Sequence, residues 1–464
     1  MIRELNRNSF RQRNGVEETR RKEETMWKKA GILALMLILL PVWLVEASLI
    51  RDTEIEDGLH RIIAPMAKSA GLDPEQLKIR VVIDPQYNAF VLGDETIYMH
   101  SGLLLKADNV LEVAGVMAHE VGHIASGHVQ RRGETVADAG LAGVLGAAAA
   151  IALTAAGSPD AAFGVMSGGI DQRTRLILAR SRQDEGVADA LAIKLMQEQN
   201  LSLQPMATTM RNIASQRLLP QSRQSDYYLT HPGALERSAV FQDHVNRHEE
   251  TTPVTPDWMH HIFDRIQTKL EGWTGPPKSV LISTIGKDDS ASVYKYAIAN
   301  FRLSNVKEAE IAMEKLIEQQ PGDAYYHEFF GDILLSQGRS TEAAAQYETA
   351  LDLLEAKVNQ GQIRLSLGRA YMASGNKDHL SEAIVHLEIA HQQEPDWAFV
   401  KRQLGIGYGK SGQISKADLT LAEEALMRGK EELAGQLARR VADNPDATST
   451  EKQLAADILH QVDR

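Results

Sequence analysis

Leu111-Glu112-Val113-Ala114-Gly115-Val116-Met117-Ala118-His119-Glu120-Val121-Gly122-His123-Ile124-Ala125-Ser126-Gly127-His128 is the stretch on which the reading of this chain turns. Apolar residues recur at Val113, Val116, Met117 and Val121, so the run predicts one amphipathic helix. His119 and His123 stand at i and i+4, which puts both imidazoles on one helix face, one turn apart, close enough to share a cation. Glu120 sits one position on, where its carboxylate reaches a water held by that cation without itself ligating. A short pattern of this kind also arises by chance in long chains. The rest of the sequence must therefore supply what the chemistry still lacks.

What it lacks is a third protein ligand, because a catalytic zinc site takes three and leaves a fourth position open. Arg180-Ser181-Arg182-Gln183-Asp184-Glu185-Gly186-Val187-Ala188-Asp189 opens the next strong helix, which runs on through Leu191, Leu195 and Met196. Glu185 and Asp189 are again i, i+4 and face the same way. Glu185 can supply the third bond, and Asp189 can orient a ligating imidazole from behind. Asp184 points elsewhere on the helix. The expectation is one Zn2+ per chain on His119, His123 and Glu185, with Glu120 as the base.

Outward from this centre, Ile79 to Ile83 is β-branched and stops at Asp84-Pro85, so it reads as a strand. Phe90-Val91-Leu92, a Gly93-Asp94 turn and Thr96 to Met99 read as a hairpin. A Gly/Ala-rich apolar stretch, residues 139–157, is either a buried helical hairpin or a segment that touches lipid or gates the cleft. Met26-Trp27-Lys28-Lys29, an apolar run and Val45-Glu46-Ala47 give residues 26–47 the form of a secretory signal peptide. An uncleaved inner-membrane anchor facing the periplasm is the alternative. Residues 1–25 read as an over-long start or a cytoplasmic tail. The first domain then covers 48–250, and a proline-marked linker with one amphipathic helix covers 251–290.

Residues 291–464 change character. Gly331-Asp332-Ile333-Leu334, Gly368-Arg369-Ala370-Tyr371 and Gly405-Ile406-Gly407-Tyr408 are each followed by a small-residue turn and a helix carrying Ala343, Ala383 or Ala417. Pro321 and Pro395 close two units, Ala309 with Met313 marks a degenerate earlier one, and residues after Leu421 form a further repeat or a cap. Units of about 34 residues built this way look like tetratricopeptide repeats, whose stacked helices form a concave face for peptide. The chain has no cysteine, which excludes disulfides, thiolate metal sites and a cysteine nucleophile. Its 464 residues call for more than one core, and its formal net charge of -12 argues against nucleic-acid binding.

His-Glu-x-x-His followed by Ser-Arg-x-x-Glu-x-x-Ala-Asp resembles the M48 peptidases, the family of the CAAX-prenyl endopeptidases and their bacterial periplasmic relatives. Asn88-Ala89-Phe90, the run from Ile97 to Ser101-Gly102-Leu103-Leu104, and Thr230-His231-Pro232 with Arg237 agree with it, so the resemblance covers most of residues 50–240. A metzincin would carry its third histidine at the position of Val129; His128 is one short and reads as structural. The resemblance implies a zinc endopeptidase in which Glu120 moves the proton from water to the leaving amine. His231 lies near the metal, as an oxyanion donor or as a latch on the fourth position, and Arg237 is its supporting or substrate-facing partner. The strand with Ile97 and Tyr98 is similar to the edge that pairs with an extended substrate beside Asn88. Bacterial members that carry such repeats imply a periplasmic protein acting on misfolded or unassembled envelope clients. Its repeats would recruit those clients or dock on outer-membrane assembly machinery, and residues 139–157 would give peripheral membrane contact. The alternative is a chaperone or scaffold whose peptidase site is latched or rarely active. The whole is expected to be mainly α: an α+β zincin-type domain, helices with a small hairpin or sheet, followed by an α-solenoid of tetratricopeptide repeats.

Overall fold

The computed structural model describes residues 49–92, 95–128, 182–218, 224–248 and 254–463. The expected signal peptide, the segment before it, the Gly93-Asp94 turn and the stretch 139–157 lie outside these residues. No helix among the described residues is long and apolar enough to cross a membrane.

The chain is mainly helical, with one small sheet near its start. Strands β1 (Leu49–Ile50), β2 (Lys78–Val82), β3 (Ala89–Leu92) and β4 (Thr96–His100) pair in the order β1-β2-β4-β3. The expected hairpin is there, with Ala89 opposite Met99 and Leu92 opposite Thr96 in antiparallel register. One expectation fails: the strand carrying Ile97 and Tyr98 is not an edge. β2 pairs in parallel with its other side, Lys78 to Thr96 through Val82 to His100. Every residue of β4 is buried, as suits a strand with neighbours on both sides. The outer side of β3 has no strand partner among the described residues.

Against this sheet pack the first helix (Thr53–Ser69) and the motif helix (Val110–Ala125). Asp52 caps the former by accepting from the Ile55 N–H, and Asn109 caps the latter by accepting from the Leu111 N–H. The carboxylate helix (Arg182–Glu198) lies on the motif helix at backbone contact. A Cβ on Gly122 would stand 2.8 Å from the Ala188 carbonyl oxygen and 3.0 Å from its Cα. Only glycine at this place in the motif lets the two helices come together.

The stretch 251–290 is not a linker. Its helix Asp257–Thr274 buries Met259, Phe263, Ile266 and Leu270 in the same core as Leu59, Val116 and Leu195, and a second helix, Pro277–Thr284, follows. An amphipathic stripe between prolines marks a helix but not what covers it.

Five helix pairs follow: Ser290–Arg302 with Val306–Gln319, Ala324–Ser336 with Ser340–Leu353, Gly361–Ala373 with Lys377–Gln393, Ala398–Lys410 with Ile414–Met427, and Glu431–Asp443 with Ser449–Val462. After Leu421 the chain thus continues into one more helix pair. A Cβ on Gly331, Gly368 or Gly405 would come within 2.7 to 2.8 Å of Tyr347, Leu387 or Leu421 in the paired helix. The small residues therefore set the helix spacing, as expected of the repeat. Polar groups of the repeats reach the first domain directly: Arg51 and Arg80 converge on the buried Glu394, and the Tyr325 hydroxyl donates to Asp57.

Candidate metal centre

The i, i+4 spacing does what the sequence promises: His119 and His123 present their Nε2 atoms 3.0 Å apart on the motif helix. From the carboxylate helix, Glu185 Oε2 lies 3.4 Å from His119 Nε2 and Oε1 lies 3.5 Å from His123 Nε2. His231 completes a group of four whose donor atoms all fall within 4.8 Å of one another. These four and Glu120 are each at most 1% exposed. Glu185 Oε1 accepts no hydrogen bond although it is buried. A buried carboxylate oxygen facing two imidazole nitrogens without a donor of its own is costly alone and is completed by a cation. The nitrogen-and-oxygen donor set is one that zinc takes, so the residues fit the metal that the motif implies.

Behind these donors stands a charged scaffold. Asp189 Oδ1 lies 2.8 Å from His119 Nδ1, which leaves Nε2 facing the cluster, as expected for an orienting carboxylate. Arg237 donates twice to Asp189, from Nε at 2.7 Å and Nη2 at 2.8 Å, and its Nη1 lies 2.7 Å from Glu185 Oε2. Arg237 is therefore not a partner of His231 or a substrate-facing group; it is 5% exposed and ties the two carboxylates of one helix together. With the protein's own groups alone, burial works to raise the Asp189 carboxyl, yet Arg237 and His119 hold it below the usual range. For Glu185 burial is likewise outweighed, by His231 and then His119 and His123, and its carboxyl lies well below the usual range. For His119 burial and Arg237 oppose the proton, but Asp189 and Glu185 win and push it up.

His231 caps the short helix Asp226–Thr230. Its N–H donates to the Tyr227 carbonyl, its Nδ1 lies 2.9 Å from Thr230 Oγ1, and its Nε2 lies 3.2 Å from Glu120 Oε1. Tyr227 stacks on the ring at 4.1 Å and 15°. The loop then turns at Gly233, whose φ of 84° suits glycine, into the helix Ala234–His248 that carries Arg237.

Asn88 lies 5% exposed at the start of β3; its carbonyl accepts from the His100 N–H, and its Oδ1 has no hydrogen-bond partner. It is outside the four-donor group. Ile97 and Tyr98 are buried inside the sheet, Tyr98 stacked on Phe90 at 5.3 Å, so neither offers an edge to substrate. Two neighbours of the site were not read from the sequence: Tyr227, whose i, i+4 relation to His231 was the available signal, and the contact of His128 with His123.

Two histidines and a glutamate around one point, with a second glutamate alongside and a sheet beside them, define a metallopeptidase centre. Residues 54–244 match the model of peptidase family M48, and paired helices of the tetratricopeptide type follow; the chain is a metalloprotease. The chain is similar to the beta-barrel assembly-enhancing protease of Escherichia coli (strain K12), 24% identical over 337 residues that span 71% of this chain and 67% of that protein. Its similarity to the protein of the same name from Yersinia pestis is 26% over 329 residues, 68% and 65% of the two chains. The metalloprotease LoiP of Escherichia coli (strain K12) is 28% identical over 203 residues, 42% of this chain and 72% of that one.

Proposed function

We propose that this chain is a zinc-dependent endopeptidase of the bacterial periplasm that cleaves misfolded or unassembled envelope proteins and is held shut at rest by His231. The observation that carries the reading is the buried group of His119, His123, Glu185 and His231 with Glu120 against it. His119, His123 and Glu185 would hold the metal, which when bound would supply a Lewis acid for the scissile carbonyl and lower the pKa of a water. Glu120, against His231 in the cluster, would take a proton from the attacking water and return it to the leaving amine. Asp189 fixes His119, and Arg237 fixes Asp189 and Glu185, so the ligands do not reorganise during the reaction. An extended client strand adds to the outer side of β3.

His231 is a latch in this reading, because its Nε2 falls within the donor group and beside the base that would otherwise act on water. A closed site also accommodates a scaffold function between cleavage events. The names of the relatives support clients among β-barrel proteins, and the repeats would recruit those clients or dock on their assembly machinery. Export fits the signal-like residues 26–47. The test of the latch is degradation of a loosely folded protein by wild type and His231→Ala. Faster cleavage by the variant supports it, and cleavage no faster than wild type removes it.

A further inference from the structure

The two histidines of the motif are supported differently. His119 meets a carboxylate directly, whereas His123 Nδ1 lies 2.8 Å from His128 Nδ1, and His128 Nε2 lies 3.4 Å from Asp184 Oδ1. The motif helix ends at Ala125, and Gly127, with φ of 64°, turns the chain back so that His128 returns onto His123. The rings stand 5.0 Å apart, and His128 is 4% exposed.

We propose that His128 and Asp184 are positioning residues that fix the orientation and tautomer of His123 for the metal, on the reading that His123 ligates through Nε2. A neutral imidazole that gives Nε2 to a cation carries its proton on Nδ1 and must donate it. His128 Nδ1, at 2.8 Å, is placed to accept it. By accepting there, His128 keeps its own proton on Nε2, aimed at Asp184. His123 donates to His128, whose remaining proton sits on Nε2, 3.4 Å from Asp184 Oδ1, so both rings stay neutral beside the cluster. The supports of the two ligands thus come from the same helix, Asp189 for His119 and Asp184 for His123, so docking that helix orients both imidazoles while Glu185 arrives.

The test is zinc competition against a chromophoric chelator, on the full chain, for wild type, His128→Ala, Asp184→Ala, Asp184→Asn and the His128→Ala/Asp184→Ala double variant. Thermal unfolding of each metal-free protein is measured alongside. His128→Ala is expected to loosen zinc by about 10- to 100-fold, Asp184→Ala by less, and Asp184→Asn least, since its carbonyl still accepts. In the double variant the aspartate change adds nothing, because the link it served is gone. A residue that merely supports the fold would lower metal-free stability and add independently. Should His128→Ala not fold, the Asp184 pair decides, because Asp184 is 29% exposed and its loss leaves the core intact. Zinc affinity equal to wild type in Asp184→Ala and His128→Ala overturns the proposal. A wild type that takes up no zinc overturns the metal assignment itself, and the relay with it.

Discussion

Arg237 carries more of the centre's stability than its distance from the reacting atoms suggests. It pairs with Asp189 and Glu185 at once in a buried site. Removing one member of a buried ion pair leaves an uncompensated charge and costs about 3–5 kcal/mol. Arg237→Gln is therefore expected to lose stability of that order, read by denaturant unfolding of the metal-free protein; a loss within about 0.5 kcal/mol, typical of a surface change, would remove Arg237 from this role. The clustering of the candidate ligands was legible because its signal is local: His119 with His123 and Glu185 with Asp189 are helix neighbours, and helix geometry fixes their faces. His231 rested on resemblance, since a histidine in a loop has no periodicity to aim it. Arg237 was misassigned for the same reason in reverse. It lies close to His231 in sequence, whereas its partner Asp189 lies 48 positions away.

Among elements, the contact of motif helix and carboxylate helix is the one that assembles the centre. Gly122→Ala would press a methyl group onto the Ala188 backbone, which cannot yield as a side chain tip can. The expected outcome is a loss of about 1–3 kcal/mol by thermal unfolding, together with weaker zinc retention as Glu185 withdraws. Unchanged stability and affinity would mean that the helices do not touch there. The motif helix, the carboxylate helix, β2 and the β3–β4 hairpin were legible, because apolar periodicity reports which face of an element is buried. What covers that face was not. The parallel pairing of β2 with β4 joins residues with no local signature, so β4 was read as an edge. The helix Asp257–Thr274 was read as part of a linker because its apolar stripe does not name the core it enters.

At the scale of the molecule, the peptidase domain and the repeats are joined by buried charge rather than by a tether. Arg265 donates to Glu54 and Asp323, Lys269 lies 2.8 Å from Asp52, and the Tyr294 hydroxyl donates to Glu54. Within this network burial pushes the Glu328 carboxyl up to about 8, against Lys269, and its Oε2 accepts no hydrogen bond. Burial likewise pushes Glu56, beside Arg80 and Glu394, up to about 7. A carboxyl raised in the folded chain binds its proton more tightly there than when unfolded, so stability falls as pH rises from the ordinary value near 4.5 through the raised one. Glu328→Gln keeps a neutral group at every pH. It should flatten the decline in melting temperature between about pH 5 and pH 8, and an undiminished decline would place the titration elsewhere. None of this network was legible in the sequence, where its members look like ordinary solvated charges on helix faces. It also means that cutting away the repeats would remove the Tyr294 and Tyr325 contacts to the first helix, so the enzyme is best tested whole. The most direct test of the central claim is degradation of a loosely folded β-barrel protein by the purified full chain beside Glu120→Gln, with zinc content measured on both. The account predicts one zinc per chain in each and a fall in cleavage of about 10²–10⁴-fold in the variant. Equal cleavage by the two proteins, or a wild type that binds no zinc, would contradict it.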